Sequence, residues 1–201
     1  MGNMKIGVIL GSIRESRSGG AVVEWVMNTI AAAGLSDEEC EFVQLDLRDY
    51  NLPMDTAAKP PMAANREYDN PDVTRWSKAV DACDGFIFVT PEYNHSVPAV
   101  FKNAFDTLGP EWSGKPVGFV GYGSVGAVRA IEHWRQIISN FQMPNVRNQV
   151  GFVLAMEFRD GGFQPMPMRE GELKTMVGDL KELVVAAAAA DGAAHAASAA
   201  E

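Results

Sequence analysis

Apolar runs bounded by turn residues recur at Lys5 to Leu10, Glu41 to Asp46, Gly85 to Thr90, Val117 to Gly121 and Val150 to Leu154, each with the length of a strand. Around them the apolar positions switch to helical spacing, over Ala21 to Ala33, Pro71 to Ala82, Ala99 to Leu108, Val125 to Phe141 and Glu172 to Ala190. Strict alternation of strand and helix predicts parallel strands joined by right-handed crossovers, hence an α/β sandwich of three layers. The run GFIFVT, Gly85 to Thr90, is apolar almost throughout, as expected where helices cover both faces of a parallel sheet.

Five such strands fit the flavodoxin-like order 2-1-3-4-5, in which ligands bind at the carboxyl ends of strands one and three. Three chemically unusual segments fall on that rim: GSIRESRSGG (Gly11 to Gly20), PEYNHSVP (Pro91 to Pro98) and GYGSVGAVRA (Gly121 to Ala130). In the first, a glycine- and serine-rich turn leads from a strand into a helix, which predicts an anion pocket of backbone N–H groups favoured by the helix dipole. Ser12, Ser16 and Ser18 add hydroxyl donors and Arg14 and Arg17 add charge, so a phosphate monoester is the expected ligand. In the second, prolines at both ends stiffen the loop, and the N–H groups of Glu92, Tyr93 and Asn94 can face the edge of a flat ring. Tyr93 itself either stacks, lines the pocket or merely packs. In the third, Gly121, Gly123 and Gly126 allow a second backbone segment to approach the ring face. A mononucleotide with a flat ring suits the three together. The stretch Tyr50 to Asn70, with Pro53, Pro60 and Pro61, reads as a long loop of the kind that often joins a site or an interface.

At 201 residues, 47% of them hydrophobic, the chain is expected to form one domain over 1–190, followed by a low-complexity, disordered tail over 191–201. A net charge of −9 argues against nucleic acid or an anionic membrane as partner, and an acidic protein that binds phosphate must concentrate its cations locally. No apolar run approaches a membrane span and the N-terminus does not read as a signal peptide, so the cytoplasm is the expected compartment. Cys40 and Cys83 lack CxxC spacing and are expected to be reduced and buried near strand starts; no metal site is predicted. A hydrolase with Ser96 or Ser124 as nucleophile and His95 as base is disfavoured, because GYGSVG has Tyr122 where the nucleophile elbow needs glycine. GxGxxG and Walker patterns are missing from the first turn, and Asp46 lies too far along for a ribose contact of the Rossmann kind.

The strings GSIRESRSGGAVVEW, PEYNHSVPAVFKNAFDTL and GYGSVGAVRA resemble the three signature segments of the NAD(P)H-dependent FMN reductases, a flavodoxin-like flavoprotein family. The likeness runs from about Lys5 to Leu154, and PEYN with the following Lys102, Asn103, Ala104 and Asp106 is its most specific part. The resemblance implies bound FMN, NADPH or NADH as hydride donor, and a small-molecule electron acceptor. It implies that Ser12, Arg14, Arg17 and Ser18 hold the FMN phosphate, that Pro91, Glu92, Tyr93 and Asn94 contact the isoalloxazine with Ser96 assisting, and that Gly123 and Ser124 approach the ring. No catalytic side chain is expected, since flavin N5 carries the chemistry. A homodimer or homotetramer is implied, with the helix after PEYN near the interface. Ala127 departs from the family pattern, which has a second glycine there, and the alanine-rich tail has no family counterpart. A carboxylate beside the ring would oppose electron uptake, so the Glu92 side chain is expected to point away, toward a partner subunit. Arg129 is either a contact to a nucleotide phosphate or an ordinary solvated residue. The rival readings are a flavodoxin-like electron carrier and a noncatalytic FMN-binding protein; the paired arginines count against the first.

Overall fold

The computed structural model describes residues 3–159 and 162–198. Its elements follow the predicted alternation: β1 Met4–Leu10, α1 Gly19–Ala32, β2 Cys40–Asp46, α2 Pro61–Ala64, α3 Pro71–Asp81, β3 Gly85–Pro91, α4 Ala99–Asp106, β4 Val117–Gly123, α5 Val128–Ile138, β5 Asn145–Val153, α6 Leu154–Glu157, β6 Phe158–Arg159, β7 Gly162–Phe163 and α7 Met168–Ser198. Strands β1 to β5 form one sheet in the order β2-β1-β3-β4-β5, every pair parallel, while β6 and β7 make a small antiparallel hairpin. This is the flavodoxin-like sandwich that the strand spacing predicts.

The period of two along each strand divides the core into two layers. Val8, Leu10, Ile87, Val89, Val120 and Phe152 face α1 and α7, against Val22, Val26, Met176 and Leu180. Ile9, Phe86, Phe88 and Phe119 face α3, α4 and α5, against Trp76, Phe101, Phe105 and Trp134. Both alternate sets of the GFIFVT run are therefore buried, which is why it carries no polar face. Cys40 and Cys83 are buried at the start of β2 and just before β3, and neither forms a disulfide.

Boundaries moved where polar residues or turn geometry hid them. β5 starts at Asn145, because the polar run Asn145 to Gln149 extends the strand with its ladder shifted between Val117 and Phe119; Arg135 donates to the Val146 carbonyl at 2.9 Å and to Asn145 Oδ1 there. α5 starts at Val128 because Gly126 (φ +69°) and Ala127 (φ +59°) are left-handed. The 50–70 stretch contains one helical turn, α2, closed by the left-handed Asn65 and Arg66. α7 runs on through the alanine-rich segment to Ser198; positions 199–201 of the expected tail lie outside the described residues. No helix among the described residues is long and apolar enough to cross a membrane.

Candidate functional site

The carboxyl ends of β1, β3 and β4 bring the three unusual segments to one rim. Gly11 N–H donates to the Val89 carbonyl at 2.9 Å, which seats the first turn against β3. A Cβ on Gly11 would stand 2.0 Å from Phe101, so glycine is needed here for packing as well as for the bend. Arg17 reaches across to Asp46 with both guanidinium Nη atoms, one at 2.8 Å, and also donates to the Ser12 carbonyl at 2.6 Å. Burial pushes the Asp46 carboxyl up, but the Arg17 hydrogen bonds, the Arg48 N–H and both positive charges outweigh it and hold the group below its ordinary value. Arg48 donates to the carbonyls of Ile13 (3.2 Å) and Arg14. The carbonyls of Ser12, Ile13 and Arg14 are thus all engaged by guanidiniums, an arrangement that keeps their negative ends off an anion.

The N-terminus of α1 suits an anion by its own construction. Its first turn holds no acidic residue, and Ser18 at the N-cap makes no side-chain capping bond. A Cβ on Gly20 would meet nothing within 4 Å, whereas one on Gly19 would lie 2.4 Å from Tyr122 Oη. That hydroxyl is fully buried and has no hydrogen-bond partner among the described residues. Burial pushes its pKa up, so it is a proton donor at any working pH. A buried, unpaired donor costs on the order of 1–3 kcal/mol, and this one lies directly beneath the N-terminus of α1 with Ser12 beside it. By this test the residues fit the phosphate end of a mononucleotide.

Pro91 closes β3, and the four residues Tyr93 to Ser96 form a tight hairpin: Tyr93 N–H donates to the Ser96 carbonyl at 3.0 Å and Ser96 N–H to the Tyr93 carbonyl at 3.1 Å. Asn94 (φ 52°) and His95 (φ 66°) are both left-handed, as a two-residue hairpin turn that matches strand twist requires. The Tyr93 N–H expected to face a ring is therefore consumed. The Tyr93 hydroxyl shares a 2.9 Å hydrogen bond with Ser12, and Arg14 lies over its ring at 5.6 Å from the centroid, so Tyr93 joins the first two segments. Ser96 Oγ pairs at 2.8 Å with His133 of α5, not with His95.

The Glu92 carboxylate is met by Arg129 of its own chain. A partner subunit is not needed to satisfy it. Gly123 lies close by: a Cβ there would be 3.5 Å from both Glu92 Cβ and the Ala127 nitrogen, an ordinary contact distance. Gly121 and Gly126, expected to open space for a ring, are instead required internally; a Cβ on Gly121 would come within 2.6 Å of the Gly126 carbonyl, and Gly126 packs on Gly151. Ser124 is exposed in the turn between β4 and α5.

Asn103 holds the long loop, donating to the Pro53 carbonyl at 2.8 Å and accepting from Asp55 N–H at 3.1 Å. The loop walls a cavity of about 660 Å³ with Asn70, Val73 and Thr107, whose lining shares no residue with the three rim segments. Asp46, Arg48 and Tyr122 also stand at this rim; sequence reasoning set Asp46 aside as a ribose contact and gave the other two no part in the candidate site. Only Tyr122 carried a signal, as a tyrosine in a strand otherwise made of small and aliphatic residues and Phe119.

Residues 4–157 match the family of NADPH-dependent FMN reductases. An NAD(P)H-dependent FMN reductase of Nectria sp is 40% identical over 128 residues, 63% of this chain and 63% of that protein, so the chain spans under two thirds of that relative. The NAD(P)H-dependent FMN reductase LOT6 of Saccharomyces cerevisiae is 33% identical over 145 residues, 70% of this chain and 76% of its own length. Among solved structures, the flavoenzyme NAD(P)H:(acceptor) oxidoreductase FerB of Paracoccus denitrificans superposes with a TM-score of 0.64 at 21% identity, covering 90% of this chain and 95% of that one, which shows the shared fold.

Proposed function

The chain belongs to the NADPH-dependent FMN reductase family, and from that membership we propose that it binds FMN across the rim, accepts hydride from NADPH or NADH, and passes the electrons to a small acceptor. Bound FMN supplies the hydride and electron chemistry that amino-acid side chains lack. The protein supplies position and electrostatics. Ser18 and the first N–H groups of α1 hold the phosphate, with Arg14 from above and the Tyr122 hydroxyl from below. Arg17 stands beside the phosphate, fixed in place by Asp46. Ser12 shares a hydroxyl hydrogen bond with Tyr93, and with Tyr93 as donor its own proton is free for a phosphate oxygen. Pro91, Glu92, Tyr93 and Asn94, with Ser96, form one wall of the ring site, and Gly123 and Ser124 form the facing edge. No side chain on the rim is required as acid or base.

The observation that carries this reading is the unpaired Tyr122 hydroxyl beneath an acid-free helix N-terminus with Arg14 and Arg17 in the preceding turn. We extend the proposal to a homodimer or homotetramer working in the cytoplasm. The deciding experiment is anaerobic: protein reconstituted with FMN is mixed with NADPH, or with NADH, and the oxidised flavin absorbance is followed. Rapid bleaching, reversed by added free flavin or benzoquinone, is the expected result. Protein that binds FMN but stays yellow with both donors would assign it to electron carriage or noncatalytic FMN binding instead.

A further inference from the structure

Glu92 follows the last residue of β3, and Arg129 is the second residue of α5. Between them they join the two loops that flank the proposed ring site. Glu92 Oε2 accepts the Arg129 backbone N–H at 3.1 Å, while Oε1 accepts Arg129 Nε at 2.7 Å and also Nη2. The contact has two functions in one. The carboxylate caps α5 from another loop, taking an N–H in a first turn that has no acid of its own and whose N-cap residue, Ala127, offers no side-chain bond. The guanidinium neutralises a carboxylate whose side chain is only 6% exposed, while its own side chain is 40% exposed. Burial pushes the Glu92 carboxyl up, but the Arg129 hydrogen bonds and charge outweigh it, so the group stays ionised.

An ionised carboxylate beside a ring that takes up electrons disfavours the reduced state unless a cation compensates it. We propose that Arg129 is a positioning residue which, by neutralising Glu92 and locking the Pro91–Pro98 loop to the β4–α5 loop, sets the redox balance of the site. The inference rests on the reading that the FMN ring lies between these two loops. It accounts for a carboxylate at a position where charge alone would be harmful: the pair delivers a rigid link with no net charge. Glu92 without Arg129 would leave an anion at the site; Arg129 without Glu92 would leave a cation.

Redox titration of the FMN-loaded protein tests this, with FMN affinity measured in parallel by fluorescence quenching. Arg129→Met is expected to lower the preference for reduced over oxidised FMN by about tenfold, which for a two-electron couple is a fall of about 30 mV. Glu92→Gln, which keeps an oxygen for the Arg129 donors but not the charge, is expected to move the potential the opposite way. The double variant and Arg129→Lys should both return close to the wild-type value. Potentials unchanged in all variants, with only FMN affinity reduced, would overturn the inference and leave a merely structural tie. Should Arg129→Met not fold, Glu92→Gln decides alone, and no upward shift there overturns the proposal. Wild-type protein that fails to bind FMN would overturn the underlying reading and this inference with it; wild-type binding with unmoved potentials would overturn this inference only.

Discussion

Tyr122 places a buried hydroxyl, without a hydrogen-bond partner among the described residues, against the first residue of α1. In Tyr122→Phe the unpaired oxygen is gone, so the ligand-free protein should be as stable as wild type or more stable by up to about 1 kcal/mol. FMN binding should weaken by about 1.5 kcal/mol, the contribution of one hydrogen bond to a charged group. Thermal unfolding of the apoprotein and an FMN titration together check the opposite signs; a loss of stability with unchanged FMN affinity would refute the role. The same residue explains why position 19 is glycine, just as Phe101 explains Gly11. Both glycines are recognisable in the sequence as turn residues, but the side chains that exclude a Cβ come from elements far along the chain. Arg17 is likewise visible as a cation, yet its engagement by Asp46, 29 residues on, is a property of how β2 lies beside β1.

Among the elements, the junction between β5 and α7 is held by a single buried carboxylate. Glu157 accepts Val153 N–H at 2.8 Å, Met166 N–H at 3.1 Å and Arg169 Nε at 2.9 Å. Its side chain is 0% exposed and that of Arg169 is 11% exposed. Burial pushes the carboxyl up, but the Arg169 and backbone hydrogen bonds outweigh it and hold the group below its ordinary value. A depressed carboxyl stabilises the fold above the unfolded value of about 4.3, and that stabilisation is lost as pH falls through the folded value. Arg169→Met should therefore cost about 3–5 kcal/mol at neutral pH by leaving a buried charge unpaired. The gap to wild type should narrow as pH falls from the variant's carboxyl value, freed of its Arg169 partner, toward the depressed value of the wild type, where the carboxyl takes up a proton in both. Urea unfolding of both proteins across that range measures it, and a pH-independent gap would refute the account. The element pattern itself was legible: the predicted start of α3 at Pro71 is where the structure places it, and Asn70 caps it by accepting the N–H groups of Asp72 and Val73. The start of β5 was not, because an edge strand with polar residues has no apolar run to announce it.

At the scale of the molecule, a chain of net charge −9 gathers Arg14, Arg17 and Arg48 in and beside one turn of the rim. Exposed Met54 and Met62 lie on or beside the 50–70 loop, and Pro61, Phe105, Ile137 and Phe141 line a groove next to α4. With the proposed assembly through this side, light scattering of the purified protein should give two or four times the mass of one chain; a monomer at micromolar concentration would refute it. The strand order, the two-sided burial of β3 and the gathering of three loops at one rim were determined by the sequence itself, since a period of two, a period of 3.6 and the handedness of crossovers are local rules that act on every chain alike. Only the tertiary structure decided which charges are spent. Whether Arg17, Glu92 and Arg129 face a ligand, solvent or one another depends on side chains separated by 29 and 37 residues meeting across adjacent strand ends. Such pairings are fixed by sheet register and loop conformation, and no spacing along the chain encodes them.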